Sequence, residues 1–471
     1  MKKSMKIFIN SVLILLSLAI CYKGVRAQVN SVDDSDSIYL EEAEDEGSRN
    51  IPESLLAGMP VLEKAKSAFI IDGENGQILY SHSSDQEVEV ADLTKLLTIY
   101  LVYQALDQNK IELDQEVWIS DRVYEMSQDY NIPNVPLRQD ISYTIEELLQ
   151  AASVSSANGA TLALAELVGG TEKNFVKIMK DQLDKWQISH YKIVNATGLS
   201  SEYDPNEKDS NLSGEFNRLT AEAVATIAYH LNAEYPEFIK NSSIAKMLFQ
   251  EGSSDEFEIN NPNKMISEAD SQYAYDIIDG MMVSSSPNDG YSSVISAKRG
   301  NFQTLVVILG VDEESAIYQK NRHLVDYSFN AYRVESVIKK DHSANQIDAI
   351  LVENGTKDHV ELEYKRDLNL VVPIIDTAPR LTYTFVPNED IKKFGYISAP
   401  VASGIEVGKV QVNIADYTLP VIPSGTGNEV TVVTGEDIAV ATKMNQVWHA
   451  VQENIGKFWN STRRYFTDLF N

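Results

Sequence analysis

The order of apolar patterns along this chain constrains its fold most. Two apolar runs between Lys66 and Tyr80 flank the turn at residues 72–76, which predicts a β-hairpin. Two later strands, residues 290–297 and 303–310, are predicted to pair through a turn around Gly300. Apolar residues at helical spacing predict helices at residues 91 to about 108, 144–168, 174–186, 220–231 and 318–332. Thr144 and Glu147 predict a capping box at the start of the second of these helices. Helices that flank an antiparallel sheet predict an α+β domain.

The pattern changes after about residue 343 to short strands separated by turns. These predicted strands are residues 347–352, 359–364, 368–373, 381–386, 407–412 and 418–422. Such spacing predicts a small all-β sandwich at residues 341–440, after a first domain at residues 55–340. A chain of 471 residues, 43% of them hydrophobic, is long enough to build both cores.

The first residues have the pattern of a secretory signal peptide. Lys2, Lys3 and Lys6 precede an apolar run, and Val25-Arg26-Ala27 offers small residues for cleavage after Ala27. A retained membrane anchor is the alternative, but the run is shorter than the roughly 20 residues that a spanning helix needs. The only cysteine, Cys21, lies inside this segment, so the mature protein has no cysteine for a disulfide or a thiol nucleophile.

The rest of the chain is strongly acidic. The formal charge is -29, and removal of the five basic residues of the signal peptide would take it to -34. This balance argues against nucleic acid as a partner. Residues 31–50 contain eight acids and one arginine, so residues 28–54 are predicted to form a solvated, disordered spacer, with a cation-binding tail as the alternative.

Residues 441–471 predict an amphipathic helix. One face is apolar and aromatic, and the other carries polar and basic residues. The predicted membrane-facing residues are Trp448, Phe458, Trp459, Phe466 and Phe470. Tryptophan and phenylalanine beside basic residues favour the membrane surface, whereas packing on a protein neighbour is the alternative.

Four short segments carry the pattern of a catalytic site. They are Asp92-Leu93-Thr94-Lys95, Ser156-Ala157-Asn158-Gly159, Val194-Asn195-Ala196-Thr197-Gly198 and Ile278-Asp279-Gly280-Met281, the last followed by Gly290-Tyr291. Together they resemble the exported D-alanyl-D-alanine carboxypeptidases, which are low-molecular-weight penicillin-binding proteins with a serine β-lactamase-like fold. The resemblance implies a peptidoglycan stem peptide as ligand and a site built from these segments.

Two positions depart from the pattern of that family. Asp92 stands where the family has its nucleophilic serine, and Met282, Val283 and Ser284 stand where it has Lys-Thr-Gly. Lys95, Ser156 and Asn158 match the family's remaining site residues. The serine of the family attacks the peptide carbonyl, and the lysine and threonine of Lys-Thr-Gly bind the substrate carboxylate, so both functions are expected to be lost here.

The spacing of Asp92 and Lys95 on a helix permits an ion pair. We therefore expect Asp92 to neutralise Lys95, with a new role as catalytic acid as the alternative. The sequence contains no zinc-binding His-Glu-x-x-His, no phosphate-binding loop and no Gly-x-Ser-x-Gly motif, so we expect neither a metal nor a cofactor.

Three functions remain open from the sequence. The first is a non-hydrolysing homologue that binds wall peptide or a cell-wall protein at the outer face of the cytoplasmic membrane. The second is an active carboxypeptidase that uses Ser156 with Lys95, and the third is a structural adaptor whose groove binds nothing.

Overall fold

The computed structural model describes residues 58–203, 214–344, 346–375, 379–414 and 417–442. The predicted signal peptide, the acidic spacer and nearly all of the predicted terminal helix, including its five aromatic residues, lie outside the described residues. Within these ranges no helix is both long and apolar enough to cross a membrane.

A five-stranded antiparallel sheet forms the centre of the first domain. The predicted hairpin supplies Ala65–Asp72 and Ile78–His82, and the later pair supplies Gly290–Arg299 and Phe302–Val311. The strand Ile278–Ser286 forms one edge, and the hairpin strand Ile78–His82 forms the other. Every neighbouring pair is antiparallel, as the sequence predicts for an α+β domain.

Alternating residues of this sheet face two separate apolar cores. Phe69 and Val307 pack with the helices on one face, whereas Ile70 and Ile308 pack with the helix Glu314–Ala331 on the other. Period-two alternation in strands produces this division. The domain therefore has three layers, with the sheet between two helical layers.

The helices of the first domain surround the sheet. Their bounds are Lys95–Asp107, Asp121–Ser127, Ile145–Ser155, Asn158–Gly169, Glu172–Lys185, Ala221–Glu234, Glu237–Ser242 and Glu314–Ala331. Short 3-10 helices occupy Ala91–Thr94 and Ser201–Tyr203. Small antiparallel pairs join Val88–Glu89 and Tyr191–Lys192 to Arg218–Leu219, Glu116–Trp118 to Ser142–Thr144, and Lys246–Phe249 to Phe257–Asn260.

The prediction of one helix over 144–168 is wrong in its continuity. Thr144 and Glu147 do form the predicted capping box at its start. Ser156, however, adopts a left-handed conformation with φ 55°, which ends the first helix before Asn158 begins the second. The helix predicted over 318–332 also differs, because it begins at Glu314 and gives way at Tyr332 to the strand Tyr332–Ile338.

The C-terminal region contains short strands around a third apolar core. Tyr332–Ile338 pairs with Leu368–Pro373. A three-stranded sheet contains His359–Val360, Ile350–Glu353 and Tyr396–Ser398, and a four-stranded sheet contains Leu362–Tyr364, Glu429–Thr434, Glu406–Ile414 and Leu381–Pro387. A short helix, Glu389–Phe394, joins two of these strands.

The strand predicted at 418–422 is instead a loop that docks on the first hairpin. The Ile78 amide donates to Pro420 O (2.7 Å), and the Ile422 amide donates to Gly76 O (3.0 Å). Gln77 adds two hydrogen bonds to the backbone of Val371. The apolar pattern of residues 418–422 therefore reflects burial against the first domain rather than pairing within the C-terminal sheets.

Candidate functional site

The segment that carries Asp92 is a tight turn leading into a buried helix. Ala91 has φ 43°, and residues Ala91–Thr94 form a 3-10 turn before the α-helix Lys95–Asp107. Ten of the thirteen residues of that α-helix are buried, so the helix is held on several sides. The turn thus places Asp92 at the surface end of a rigid element.

Lys95 is completely buried and has two partners. Its Nζ donates to Asp92 Oδ1 and to Thr197 O (2.9 Å). The Asp92 side chain is 16% exposed, whereas that of Lys95 is 0% exposed. Burial lowers the pKa of the Lys95 ammonium, and the Asp92 carboxylate opposes that shift. The predicted ion pair between the two residues is present.

The loop at residues 195–198 provides the second hydrogen-bond partner of the Lys95 amine, the Thr197 carbonyl. Asn217 supports this loop by donating from Nδ2 to Asn195 O (2.9 Å) and to Thr94 Oγ1 (3.0 Å). Gly198 has φ +88°, and a Cβ there would lie 1.9 Å from Ala91 O. Only glycine therefore permits the loop to lie directly against the Asp92 turn.

Ser156 and Asn158 lie outside the polar contacts of Lys95. Neither of the two hydrogen bonds of the Lys95 amine reaches them. Asn158 Nδ2 instead donates to Pro133 O (2.9 Å), and its Oδ1 is buried without a hydrogen-bond partner among the described residues. Ser156 is 1% exposed. The structure therefore does not assemble these residues into a proton-transfer chain.

The edge strand presents only part of the predicted Met282-Val283-Ser284 segment to solvent. Met282 is 2% exposed and packs in the core between the sheet and the helices. Val283 is half-buried, and Ser284 Oγ donates to Val90 O (3.0 Å). The edge strand is thus bonded directly to the chain two residues before Asp92.

A cleft of about 320 Å³ opens between the Asp92 turn and the edge strand. Its lining residues are Asp92, Pro133, Ser155, Asn260, Asn261, Pro262, Val283, Ser284, Ser285, Tyr291, Ser292, Glu314, Ile317 and Tyr318. Asp92, Val283 and Ser284 therefore share one cavity. Lys95, Ser156, Asn158 and Met282 are not among its lining residues.

Several lining residues of this cleft escape prediction from the sequence. Glu314 and Tyr318 come from the helix on the far side of the sheet, and Pro133 and Asn260 come from loops and strands with no recognisable motif. The Val194–Gly198 motif does signal the loop behind Lys95, although the role of the Thr197 carbonyl is visible only in three dimensions. Among the described residues, no group of three His, Cys, Asp or Glu side chains could hold a metal ion.

Comparison with known proteins agrees with this geometry. A family model described as D-alanyl-D-alanine carboxypeptidase matches residues 57–313, more than half of the chain. This chain belongs to the D-alanyl-D-alanine carboxypeptidase family. The matched span contains both the Asp92 turn and the edge strand, so the whole cleft except Glu314, Ile317 and Tyr318 lies within the family region.

Individual relatives extend the likeness of this family member beyond the matched span. It is 24% identical over 351 residues to the carboxypeptidase DacF of Bacillus subtilis, covering 73% of this chain and 80% of that protein. A crystal structure of a peptidoglycan synthesis regulatory factor (PBP3) from Streptococcus pneumoniae has a TM-score of 0.69 at 27% identity, covering 80% of this chain and 100% of that one. Penicillin-binding protein 5 from Haemophilus influenzae shares the fold, with a TM-score of 0.62 at 22% identity over 81% and 99% of the two chains.

Proposed function

We propose that this family member is a non-hydrolysing homologue that binds peptidoglycan stem peptides in the cell wall. The observation that carries the proposal is the ion pair between Asp92, which lines the cleft, and the buried Lys95. A serine hydroxyl at this position could be deprotonated by Lys95 and attack a carbonyl. The Asp92 carboxylate is a weak nucleophile toward an amide, and it binds the amine that would have to accept a proton.

The expected effect on rate is large. Loss of the nucleophile of a serine hydrolase can lower kcat by about a millionfold. The loss of the Lys-Thr-Gly side chains adds a second deficit, because Val283 and Ser284 provide no positive charge for a substrate carboxylate. Both changes lie on one open cleft, which supports ligand binding without hydrolysis.

The geometry does not favour catalysis by Ser156. Its side chain is buried, it does not line the cleft, and it is not a partner of the Lys95 amine. Ser155 does line the cleft, but its hydroxyl donates to Ala151 O (2.9 Å) within its own helix. An active enzyme would have to rearrange this turn before either hydroxyl could attack.

Incubation with a fluorescent penicillin tests the loss of the nucleophile. We expect no covalent adduct and no release of D-alanine from a D-Ala-D-Ala pentapeptide. Asp92→Ser is the matched variant, because it restores only the hydroxyl. A stoichiometric adduct on the wild-type chain would overturn the proposal, and D-alanine release that Ser156→Ala abolishes would establish the enzymatic alternative.

Ligand-induced stabilisation separates peptide binding from a purely structural role. A ligand that binds only the folded state must raise the unfolding midpoint. We expect D-Ala-D-Ala peptides, added as free acid and as C-terminal amide, to raise the midpoint in at least one of the two forms. No shift with either form would favour an adaptor whose groove binds nothing.

The remaining parts of the proposal concern location and domain organisation. We propose export with cleavage after Ala27, a sandwich domain at 341–440 and attachment to the outer face of the cytoplasmic membrane through residues 441–471. The aromatic face of the last segment and its basic residues support this attachment. Truncation before Lys443 should release the mature protein from membranes, and continued sedimentation of that variant would contradict the assignment.

A further inference from the structure

Half of the eight side-chain hydrogen-bond donors that line the cleft are already used by the protein itself, Ser155 among them. Ser284 Oγ donates to Val90 O, and the Tyr318 hydroxyl lies 3.3 Å from Glu314 Oε1 and 3.4 Å from Pro262 O. Asn261 uses both amide hydrogens on backbone carbonyls, at 3.0 and 3.1 Å. The remaining side-chain donors of the lining are uncharged: Asn260, Ser285, Tyr291 and Ser292.

The acceptors of the cleft, in contrast, include two carboxylates. Asp92 uses Oδ1 for Lys95, and no hydrogen bond to Oδ2 is formed among the described residues. Glu314 is 43% exposed and pairs with Lys264, which does not itself line the cleft. No lysine, arginine or histidine is present among the described residues that form the lining.

This inventory disfavours a carboxylate inside the cleft. A carboxylate accepts hydrogen bonds only, and burial without a charged partner or a full set of donors costs free energy. The Asp92 carboxylate cannot donate a hydrogen bond to it, and the positive charge of Lys95 is already paired with Asp92. A group that donates hydrogen bonds, such as an amide or an ammonium, meets acceptors instead.

We propose that the cleft prefers a peptide segment that ends in an amide over one that ends in a free carboxylate. The amide arises either because the bound segment continues into a longer chain or because its C-terminus is amidated. The inference rests on the proposed peptide binding and specifies which peptides are bound. The blocked end places an N–H group where a substrate of an active carboxypeptidase would place its charge. The cleft thereby recognises peptides that lack the free C-terminal carboxylate of a carboxypeptidase substrate.

Two ligands that differ in one group test this selection. Acetyl-lysyl-D-Ala-D-Ala is titrated into the wild-type protein as the free acid and as the C-terminal amide, with affinity measured by calorimetry at pH 7. We expect the amide to bind about tenfold more tightly or better, because one unpaired buried charge typically costs that much. Equal affinity, or tighter binding of the acid, would overturn the inference while the proposed function stood. Binding of neither form would overturn both.

A cation placed in the lining should reverse the selection. Val283→Lys adds a positive charge on the edge strand beside Ser284, and we expect it to lower the amide-to-acid affinity ratio by about tenfold. Thr384→Lys is the matched control, because it adds the same charge to an exposed position on the strand Leu381–Pro387, outside the cleft. A ratio unchanged in the first variant, or lowered equally in both, would contradict the inference. The wild-type comparison remains decisive if Val283→Lys fails to fold.

Discussion

Removal of the Asp92 carboxylate should destabilise the protein because Lys95 would lose its only charged partner among the described residues. The ammonium is fully buried, and Asp92→Ala would leave it with a single hydrogen bond, to Thr197 O at 2.9 Å. Breaking a buried ion pair by removing one partner typically costs 3–5 kcal/mol. Since Asp92 is 16% exposed, water can partly replace its carboxylate, and we expect a cost near the lower limit, about 3 kcal/mol.

Two further variants separate the pair from other effects of the substitution. Asp92→Ala combined with Lys95→Met removes both charges, and the double variant should recover at least about 1.5 kcal/mol of that loss because no buried charge remains. Glu389→Ala is the control, since Glu389 and Lys392 have the same i,i+3 spacing but are 92% and 68% exposed. That pair should contribute less than about 0.5 kcal/mol.

The assay is urea unfolding at pH 7, with free energies compared at constant slope of the transition. A structural role for the pair requires Asp92→Ala to cost clearly more than Glu389→Ala. It also requires the double variant to be more stable than Asp92→Ala alone. If Asp92→Ala lowers the free energy of unfolding by no more than Glu389→Ala does, Asp92 does not neutralise Lys95. A catalytic role for this carboxylate then becomes the better explanation.

Three other substitutions test the surrounding structure. Burial raises the pKa of Asp72 to about 7, so the native state keeps this proton while the unfolded chain, with a pKa near 3.8, releases it. The stabilisation that protonated Asp72 provides is therefore present below pH 3.8 and is lost as the pH rises through 7. Between pH 4 and 8 the free energy of unfolding of Asp72→Asn, measured in urea, should rise by up to about 4 kcal/mol relative to that of the wild type. A gain independent of pH would contradict this origin. Gly198→Ala should cost at least about 2 kcal/mol more than Gly404→Ala in the same assay, because both have positive φ but only the first places a Cβ against backbone. Ser424→Ala should cost about 1 kcal/mol, because it removes the 2.8 Å partner of His230 Nε2, and no loss would show that this contact is not stabilising.

Local signals in the sequence predicted the elements whose structure depends on neighbouring residues. The turn at 72–76 formed its hairpin, and Thr144 with Glu147 formed the capping box. The break at Ser156 was missed because apolar residues continue at helical spacing through Ala157. A left-handed residue other than glycine leaves little trace in composition, since its conformation is imposed by packing on both sides.

Long-range contacts explain what the sequence could not predict about the site. The spacing of Asp92 and Lys95 predicted their ion pair, because both lie within one turn. The Thr197 carbonyl that shares the same amine is 102 residues away. The segment 418–422 was predicted as a sheet strand because burial against the hairpin and pairing in a sheet produce the same apolar pattern.

Met282 shows why the two departures from the family belong together. The Met282 side chain is 2% exposed within the core that also holds Leu93 and Leu96, so an ammonium in its place would need a counter-charge or a changed position. Ser284 meanwhile bonds the same strand to Val90, next to the Asp92 turn. Asp92→Ser therefore restores a hydroxyl without the charge that would orient a substrate carboxylate. Recovery of hydrolysis would require both the turn and the packing of the edge strand to change.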